Sequence, residues 1–386
     1  MFVPKTVHPW GTPPWTFTFR PRPRQLPAQA DYVVVGGGFA GLSAAAWLKR
    51  LAPAKSVLLL ESETLGNGAS GRTGGIALAE SAAGDLPGLG DVLSGYRRIL
   101  RTLKIDSELS LPGAWELGRR GGLPRSPIHW NDSGDLRAVA EVPGGTIHPG
   151  KVVADLARTA QSAGAQILEH AKVTGLKPVR ADRHVARNAV ELRVHVGRGK
   201  RLLARTVRAQ RVLLATNAYS LNLTQLAPAA QPKLTLAVAT EPLTPLQLRA
   251  LGLASRKPFY TVDLPYLWGR LLKNNSAIFG AGLVHAPSGR NLSRIDVGKG
   301  DAAERIAWLE ERVHGLHPML KDVRFTHRWG GPILFTDGAK PVFRTHPRLS
   351  QAIVLAGFNG HGVALSVYLG KWAAQSLLNR RPLPHW

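Results

Sequence analysis

The sequence predicts a chain of class α/β plus antiparallel sheet: a Rossmann-like unit joined to a discontinuous, mainly antiparallel β unit. Three observations carry this. A β-branched run, Tyr32–Val35, is followed by Gly36, Gly38 and Gly41 in GxGxxG spacing, an alanine-rich stretch Leu42–Leu51, and a second apolar run, Val57–Leu60, ending at Glu61. Short continuous apolar runs of this kind make strands buried on both faces of a parallel sheet. A further run, Arg211–Ala218, ends in small polar residues. Between Leu221 and His327 the pattern changes to alternating segments broken by prolines, which reads as antiparallel strands.

Each motif glycine has a mechanical reason. Gly36 permits the tight turn, Gly38 lets backbone N–H groups approach a pyrophosphate, and Gly41 lets helix and strand pack closely. The helix N-terminus adds its partial positive charge to the same anion. Glu61, 20 residues past Gly41, can accept a hydrogen bond from a ribose hydroxyl and would repel a 2′-phosphate. Strand, turn, helix, strand and terminal acid occur in order, so the unit reads as a dinucleotide site. Residues 32–48 carry no charge, but four glycines and a strand-like start in a segment of minimal length exclude a membrane span there.

With 386 residues the chain is long enough for two or three domains. The first thirty residues hold Lys5, three arginines, several prolines, two tryptophans and no acid. They lack the apolar core of a signal peptide and are expected to form an extended arm packed over the body. With no cysteine there are no disulfides and no thiolate metal sites, and the expected compartment is cytoplasmic. The net charge of +25 is unusual and attracts polyanions non-specifically. Its clearest cluster, Arg198, Lys200, Arg201, Arg205, Arg208 and Arg211, falls on an expected hairpin of Val190–Val196 and Leu202–Val207 turning at Gly197–Lys200. No nucleic-acid motif accompanies it, so it reads as a solvated basic face without a specific nucleic-acid partner.

After Glu61, the stretch Gly66–Ile76 has five glycines and reads as a loop giving close approach to something bound. A helix is expected near Asp91–Leu103 and another from Lys151 to Ala163, stopped by Gly164, with His148 in the turn before it. Strands follow at Gln166–Glu169 and Ala171–Leu176, then at Lys233–Thr240, Phe259–Val262, Tyr266–Leu272 and Ala277–Gly282. A helix over Ala302–Val313, a strand over Ala352–Ala356 and a helix from Val363 to about Leu378 complete the chain. The glycine turn Gly357–Gly362 before that last helix offers N–H donors and positive potential to a developing anion.

GxGxxG, Glu61 and the run Gly68-Ala69-Ser70-Gly71-Arg72-Thr73-Gly74-Gly75 resemble the FAD-dependent amine and amino-acid oxidoreductases of the D-amino-acid oxidase superfamily. The run is most similar to the gamma-glutamylputrescine oxidase branch. Arg211–Ala218 resembles a Rossmann strand of the family, and Trp329 to Pro341 its "WxGxxxxTxDxxP" stretch. The resemblance implies non-covalent FAD held by Gly36, Gly38, Phe39, Ala40, Gly41, Glu61 and Ser62. Along the loop it implies Gly68, Ala69, Ser70, Arg72, Thr73, Gly74 and Gly75. Farther on it implies Val173, Thr216, Asn217, Trp329, Gly331, Gly357, Asn359, Gly360, His361, Gly362 and Val363. His361 is the candidate catalytic group, with local backbone capping as the other role open to it. The implied division is an arm at 1–30, an FAD-binding domain at 31–95, 145–225 and 325–386, and a substrate domain at 96–144 and 226–324.

The implied activity is oxidation of an amine or amino-acid C–N bond by hydride transfer to flavin N5, the imine then hydrolysing. The electron acceptor is O2 or another molecule. A dehydrogenase feeding a quinone or carrier protein, and a basic FAD-containing nucleic-acid-binding protein, are the alternatives. Relatives that bind a short substrate's carboxylate do so with an Arg and a Lys whose matching positions here are Gly75 and Ala364. An arginine from the insert or central sheet would be the substitute. Relatives that use oxygen place a Lys over the flavin; here Ile278 matches that slot, with Lys273 nearby. The chain has no cysteine and no histidine between 61 and 128 for covalent flavin attachment.

Overall fold

The arm ahead of the first strand is tied down by two buried tryptophans, Trp10 and Trp15. The structure, a computed structural model, describes residues 8–22, 24–179, 188–199, 201–285 and 292–386. The chain then runs β1 (Gln29–Val35), α1 (Phe39–Leu51), β2 (Val57–Leu60), a short α2 (Ala69–Arg72), β3 (Ile76–Leu78) and α3 (Val92–Thr102). Next come β4 (Ala114–Gly118), β5 (His129–Asn131), β6 (Asp135–Val142), β7 (Gly144–Thr146), α4 (Pro149–Ser162), β8 (Gln166–Leu168) and β9 (Ala171–Val179). A long hairpin, β10 (Ala189–Val196) and β11 (Leu203–Leu214), precedes α5 (Leu221–Thr224), β12 (Ala230–Pro242) and α6 (Pro245–Ala250). The remainder is β13 (Phe259–Thr261), β14 (Trp268–Leu271), β15 (Ser276–His285), α7 (Gly300–Leu316), β16 (Phe325–Thr336), β17 (Val342–His346), β18 (Leu349–Ala356) and α8 (Gly362–Leu377).

One sheet has the order β17-β18-β11-β1-β2-β8, with β9 and β10 continuing from β11. Its central pairs β1–β2, β1–β11, β2–β8 and β11–β18 are parallel. Val33, Val34 and Leu58–Leu60 are essentially inaccessible, as strands covered on both faces must be. Each such side chain contributes about 1.5–3 kcal/mol on burial. Helices α1 and α8 cross closely because Gly370 has no side chain: a Cβ there would sit 2.5 Å from the Ala40 carbonyl oxygen. The Ser43 hydroxyl uses the same proximity to donate to the Val367 carbonyl at 2.7 Å.

The second sheet, β16-β12-β15-β14-β13-β4-β6-β5, is antiparallel except where β13 lies parallel to β4. Local signals place its helices. Thr244 and Gln247 form a reciprocal capping box on α6, and Asp91 caps α3 through the Ser94 N–H at 2.9 Å.

Several expectations change. The runs Leu202–Val207 and Arg211–Ala218 are not separate strands: β11 runs unbroken from Leu203 to Leu214, and Ala215–Ala218 lie beyond its end. Its first half pairs only with β10 on a solvated hairpin and alternates, while Val212–Leu214 lie between β1 and β18 and are buried on both faces. The change of period came from the change of neighbours. Residues 325–336 do not join the Rossmann sheet; as β16 they pair with β12 along its length. The boundary at 95/96 cuts through α3, which is one helix buried against the α8 side of the molecule. Gln29 and Ala30, given to the arm, begin β1. The glycine loop contains the helical turn α2, and Lys200 of the basic hairpin lies outside the described residues.

Candidate functional site

Off the carboxyl ends of β1, β2 and β11, and bounded by the second sheet, lies a cavity of ≈ 1670 Å³. A single small-molecule site takes roughly 300–1,000 Å³, so this one has room for a dinucleotide and a second molecule. The implied site residues all line it except Gly41, Gly75 and Gly357. Those three act one step back. A side chain on Gly41 would run into the Gly36 carbonyl, and one on Gly357 into Thr336. Gly75 has φ +77°, with the Ile147 carbonyl oxygen 2.6 Å from where a Cβ would be.

The floor of the cavity is a glycine cradle. Gly36 turns at φ +113° against Ala215, and a Cβ on Gly38 would lie 2.8 Å from Ser70 Oγ. That hydroxyl accepts the Phe39 N–H at 2.9 Å, so α2 and the start of α1 are held together. The first turn of α1 has no acidic residue and no side-chain cap, which leaves N–H donors for an anion. Glu61 accepts from the Gly37 N–H at 2.7 Å, the Glu63 N–H at 2.9 Å and the Ser62 hydroxyl at 3.1 Å. Burial pushes its carboxyl pKa up, and those donors oppose the shift. Two carboxylate oxygens have about four acceptor positions, so one is left for a ribose hydroxyl.

The arm is a part of the site that composition alone could not place. Trp15 Nε1 donates to the Gly71 carbonyl at 2.8 Å and Trp329 Nε1 to the Arg72 carbonyl at 2.9 Å. Arg72 Nη1 in turn donates to the Gly11 carbonyl at 2.9 Å, and its Nε to Asn67 at 3.1 Å. Burial lowers its guanidinium to about 10. Arm, glycine loop and β16 are thereby one hydrogen-bonded unit. The two tryptophans of the arm are the signal that could have found it.

At the far side, two asparagines in left-handed backbone tie the turn before α8 in place. Asn359 (φ 51°) accepts the Thr336 N–H at 2.8 Å and donates to the Gly357 carbonyl at 2.7 Å. Asn217 (φ 45°) accepts the Gly357 N–H at 3.0 Å. His361 occupies the N-cap of α8 without capping it by its side chain. Burial lowers its pKa, so the ring is neutral at pH 7. Its Nδ1 lies 3.4 Å from the Asn359 carbonyl oxygen, so the ring also ties the local backbone of the turn while it lines the cavity. His148 caps α4 through the Lys151 N–H at 3.2 Å, as a turn residue would.

The wall from the second sheet is Trp268, Trp329, Ala237, Gly331 and Tyr260. The Tyr260 hydroxyl donates to Glu116 at 2.9 Å, and burial raises the phenol's pKa. Neither residue was singled out from the sequence, because the two are 144 positions apart. The lining cations are Arg72, Lys172, Arg305 and Arg312. Arg305 pairs with Asp301 and Arg312 with Asp132, while Lys172 stands beside Val173. Ala364 is buried in α8, Lys273 is exposed and pairs with Glu108, and Ile278 is buried among Trp15, Ala237, Ala239 and Trp329. Arg270 of β14 brings a buried guanidinium within 3.2 Å of the Cβ position at Gly75. It stands on the same face of β14 as Trp268, two residues away, its buried Nε has no hydrogen-bond partner among the described residues, and it is not itself among the lining residues.

The family model described as DAO, FAD dependent oxidoreductase, matches residues 31–376. The chain belongs to the DAO family of FAD-dependent oxidoreductases. Among curated members, the chain is 26% identical over 391 residues to gamma-glutamylputrescine oxidoreductase of Escherichia coli, covering 90% of this chain and 83% of the relative. It is 25% identical over 393 residues to a probable oxidoreductase, OrdL, of Rhizobium meliloti, covering 91% and 84%. Among solved structures, glycine oxidase from Geobacillus kaustophilus superposes with TM-score 0.66 at 18% identity, covering 92% of this chain and 96% of that one. L-proline dehydrogenase from P. horikoshii gives 0.68 at 17% identity, covering 92% and 95%. A DAO member requires FAD, and the cradle fits a dinucleotide: Gly36 makes a turn that no Cβ would allow against Ala215, Gly38 leaves the backbone at the α1 N-terminus open, and Glu61 keeps an acceptor position free.

Proposed function

We propose that this DAO-family chain oxidises the C–N bond of an amine at the cavity described above, with FAD held by the lining residues implied by the sequence. Bound FAD supplies the hydride acceptor. The carbon next to nitrogen loses a hydride, nitrogen loses its proton, and water hydrolyses the resulting imine to a carbonyl compound and an amine or ammonia. Only the neutral amine can give up the hydride, and the neutral ring of His361, whose basicity burial lowers, offers that amine a hydrogen-bond partner in the lining. In this reading residues 29–103, 145–225 and 337–386 form the cofactor side, and β16 belongs to the substrate sheet while its Trp329 and Gly331 reach the shared cavity.

The observation that carries the amine reading is the character of the wall around the second molecule. It is aromatic and apolar, with one neutral histidine and a Tyr260–Glu116 pair, and among the described residues the arginines lining the cavity are engaged by protein groups, with Lys172 beside Val173 the other lining cation. An unpaired buried carboxylate is costly, so the substrate is an amine with no strict need for an adjacent carboxylate, Arg270 being the cation that would meet one. The similarity to gamma-glutamylputrescine oxidoreductase supports the same class. The test is anaerobic bleaching of flavin absorbance by an amine panel, followed by admission of air to read the acceptor. Sarcosine is expected to be poorer than a putrescine derivative. A preference for sarcosine of about tenfold in kcat/KM, or 1.4 kcal/mol, would make Arg270 the carboxylate anchor and overturn this reading.

Acid precipitation is expected to release all the flavin into the supernatant. Cysteine is absent from the chain and histidine from residues 61–128, so no attachment group stands in the loop. Yellow precipitate after washing would contradict this.

A further inference from the structure

Large apolar side chains are buried through most of the molecule, but four stand in solvent at one place. Val262 is 50% exposed, Leu264 72%, Tyr266 58% and Trp308 47%. All four line the mouth of the cavity, three from the β13–β14 connection and Trp308 from α7.

The backbone that presents them is fixed by buried charge. Asp132, with its side chain 2% exposed, pairs with Arg119 at 2.5 Å and Arg312 at 2.6 Å. Arg119 Nη2 donates to the Pro265 carbonyl at 3.1 Å, and its backbone N–H to Asp263 at 2.9 Å. Arg312 donates to the carbonyls of Pro265 and Tyr266, both at 2.9 Å. Burying such ions is costly unless every donor is used. Here the donors go to the backbone of this connection, so it is held rigidly while its apolar side chains face water. A rigid, exposed apolar lip on a cavity is a surface prepared for a ligand.

We propose that this lip binds the apolar tail of the substrate, an amine whose alkyl or aryl chain runs from the reacting carbon out to Leu264, Tyr266 and Trp308. The proposal rests on the amine-oxidising reading and narrows its substrate class. Three features favour a tail over a protein or a membrane. The residues ring one opening instead of forming a flat face. Four side chains fall far short of the roughly 800 Å² per partner of a stable protein interface. The rim carries both charge signs, Asp301 and Glu304 beside Arg305, whereas an anionic bilayer selects a uniformly basic border.

The test uses FAD-loaded protein and a series of N-methyl-n-alkylamines from ethyl to octyl. Dissociation constants are read by calorimetry under anaerobic conditions, and flavin bleaching is read in parallel. Binding is expected to tighten about 4-fold per added methylene once the chain reaches the lip. In Leu264→Ser combined with Trp308→Ser, both exposed positions, the gain is expected to fall below about 2-fold per methylene. A flat series in the parent protein overturns the proposal, as does an unchanged slope in the double variant. A flat series accompanied by vesicle binding or dimerisation that the double variant abolishes assigns the lip to that partner instead. Because binding is read separately, failure of every amine to bleach the flavin would sink the oxidation reading while the slope still decides the lip.

Discussion

Gly38→Val is expected to give folded protein that purifies colourless and binds added FAD at least about 100-fold more weakly. Gly38 has extended backbone that any residue adopts (φ −91°), so the loss does not come from strain. It comes from the side chain. A Cβ there sits 2.8 Å from Ser70 Oγ and forces that hydroxyl off the Phe39 N–H, while the valine methyls fill the space where a pyrophosphate meets the α1 N-terminus. The clash with Ser70 lowers stability by about 1–3 kcal/mol with or without FAD, while the methyls in the pyrophosphate's space lower affinity, the 100-fold loss being about 2.7 kcal/mol. Glu61→Ala is expected to weaken FAD less, through a charge-assisted hydrogen bond worth about 1.5–3 kcal/mol. Fluorescence titration of apoprotein with FAD measures both. Normal FAD affinity in Gly38→Val would remove the dinucleotide assignment from this motif.

Asp132→Asn is expected to destabilise the protein by about 3–5 kcal/mol, the cost of leaving buried partners unpaired. The carboxylate is shared by Arg119 and Arg312, whose side chains are 11% and 7% exposed. The amide has no charge and offers one acceptor oxygen where two had been used. The loss should be read as a lowered urea midpoint, with the lip's affinity for long amines falling alongside. Replacing all three residues together by apolar ones of similar volume should recover most of the stability, since the one charged partner then left behind, Asp263 of the Arg119 pair, has a side chain 36% exposed and can be hydrated, but not the lip's affinity. A loss under about 1 kcal/mol in Asp132→Asn would mean that water reaches the guanidinium groups and that the lip is not held by them.

What could be read along the chain was whatever a few neighbouring residues decide among themselves. The β1-α1-β2 unit, the Asp91 cap of α3, the Gly164 stop after α4 and the turn before α8 are set by side-chain period, capping oxygens and φ > 0 positions, all within a turn or two. The family resemblance extended this to the cofactor loop, and the cavity gathers nearly all the residues so implied. Long-range pairing was decided elsewhere. β11 reads as two strands because its halves meet different neighbours, and β16 changes sheets because β12 lies beside it. The Trp15–Gly71 and Tyr260–Glu116 contacts join residues 56 and 144 positions apart. The Arg312–Asp132 pair that presents the lip spans 180. Local conformational preference is a property of the peptide itself, and so the sequence alone determines it. Whether a charge is paired, or an apolar side chain left in water, depends on which distant segments fold against it, and only the tertiary structure decides that.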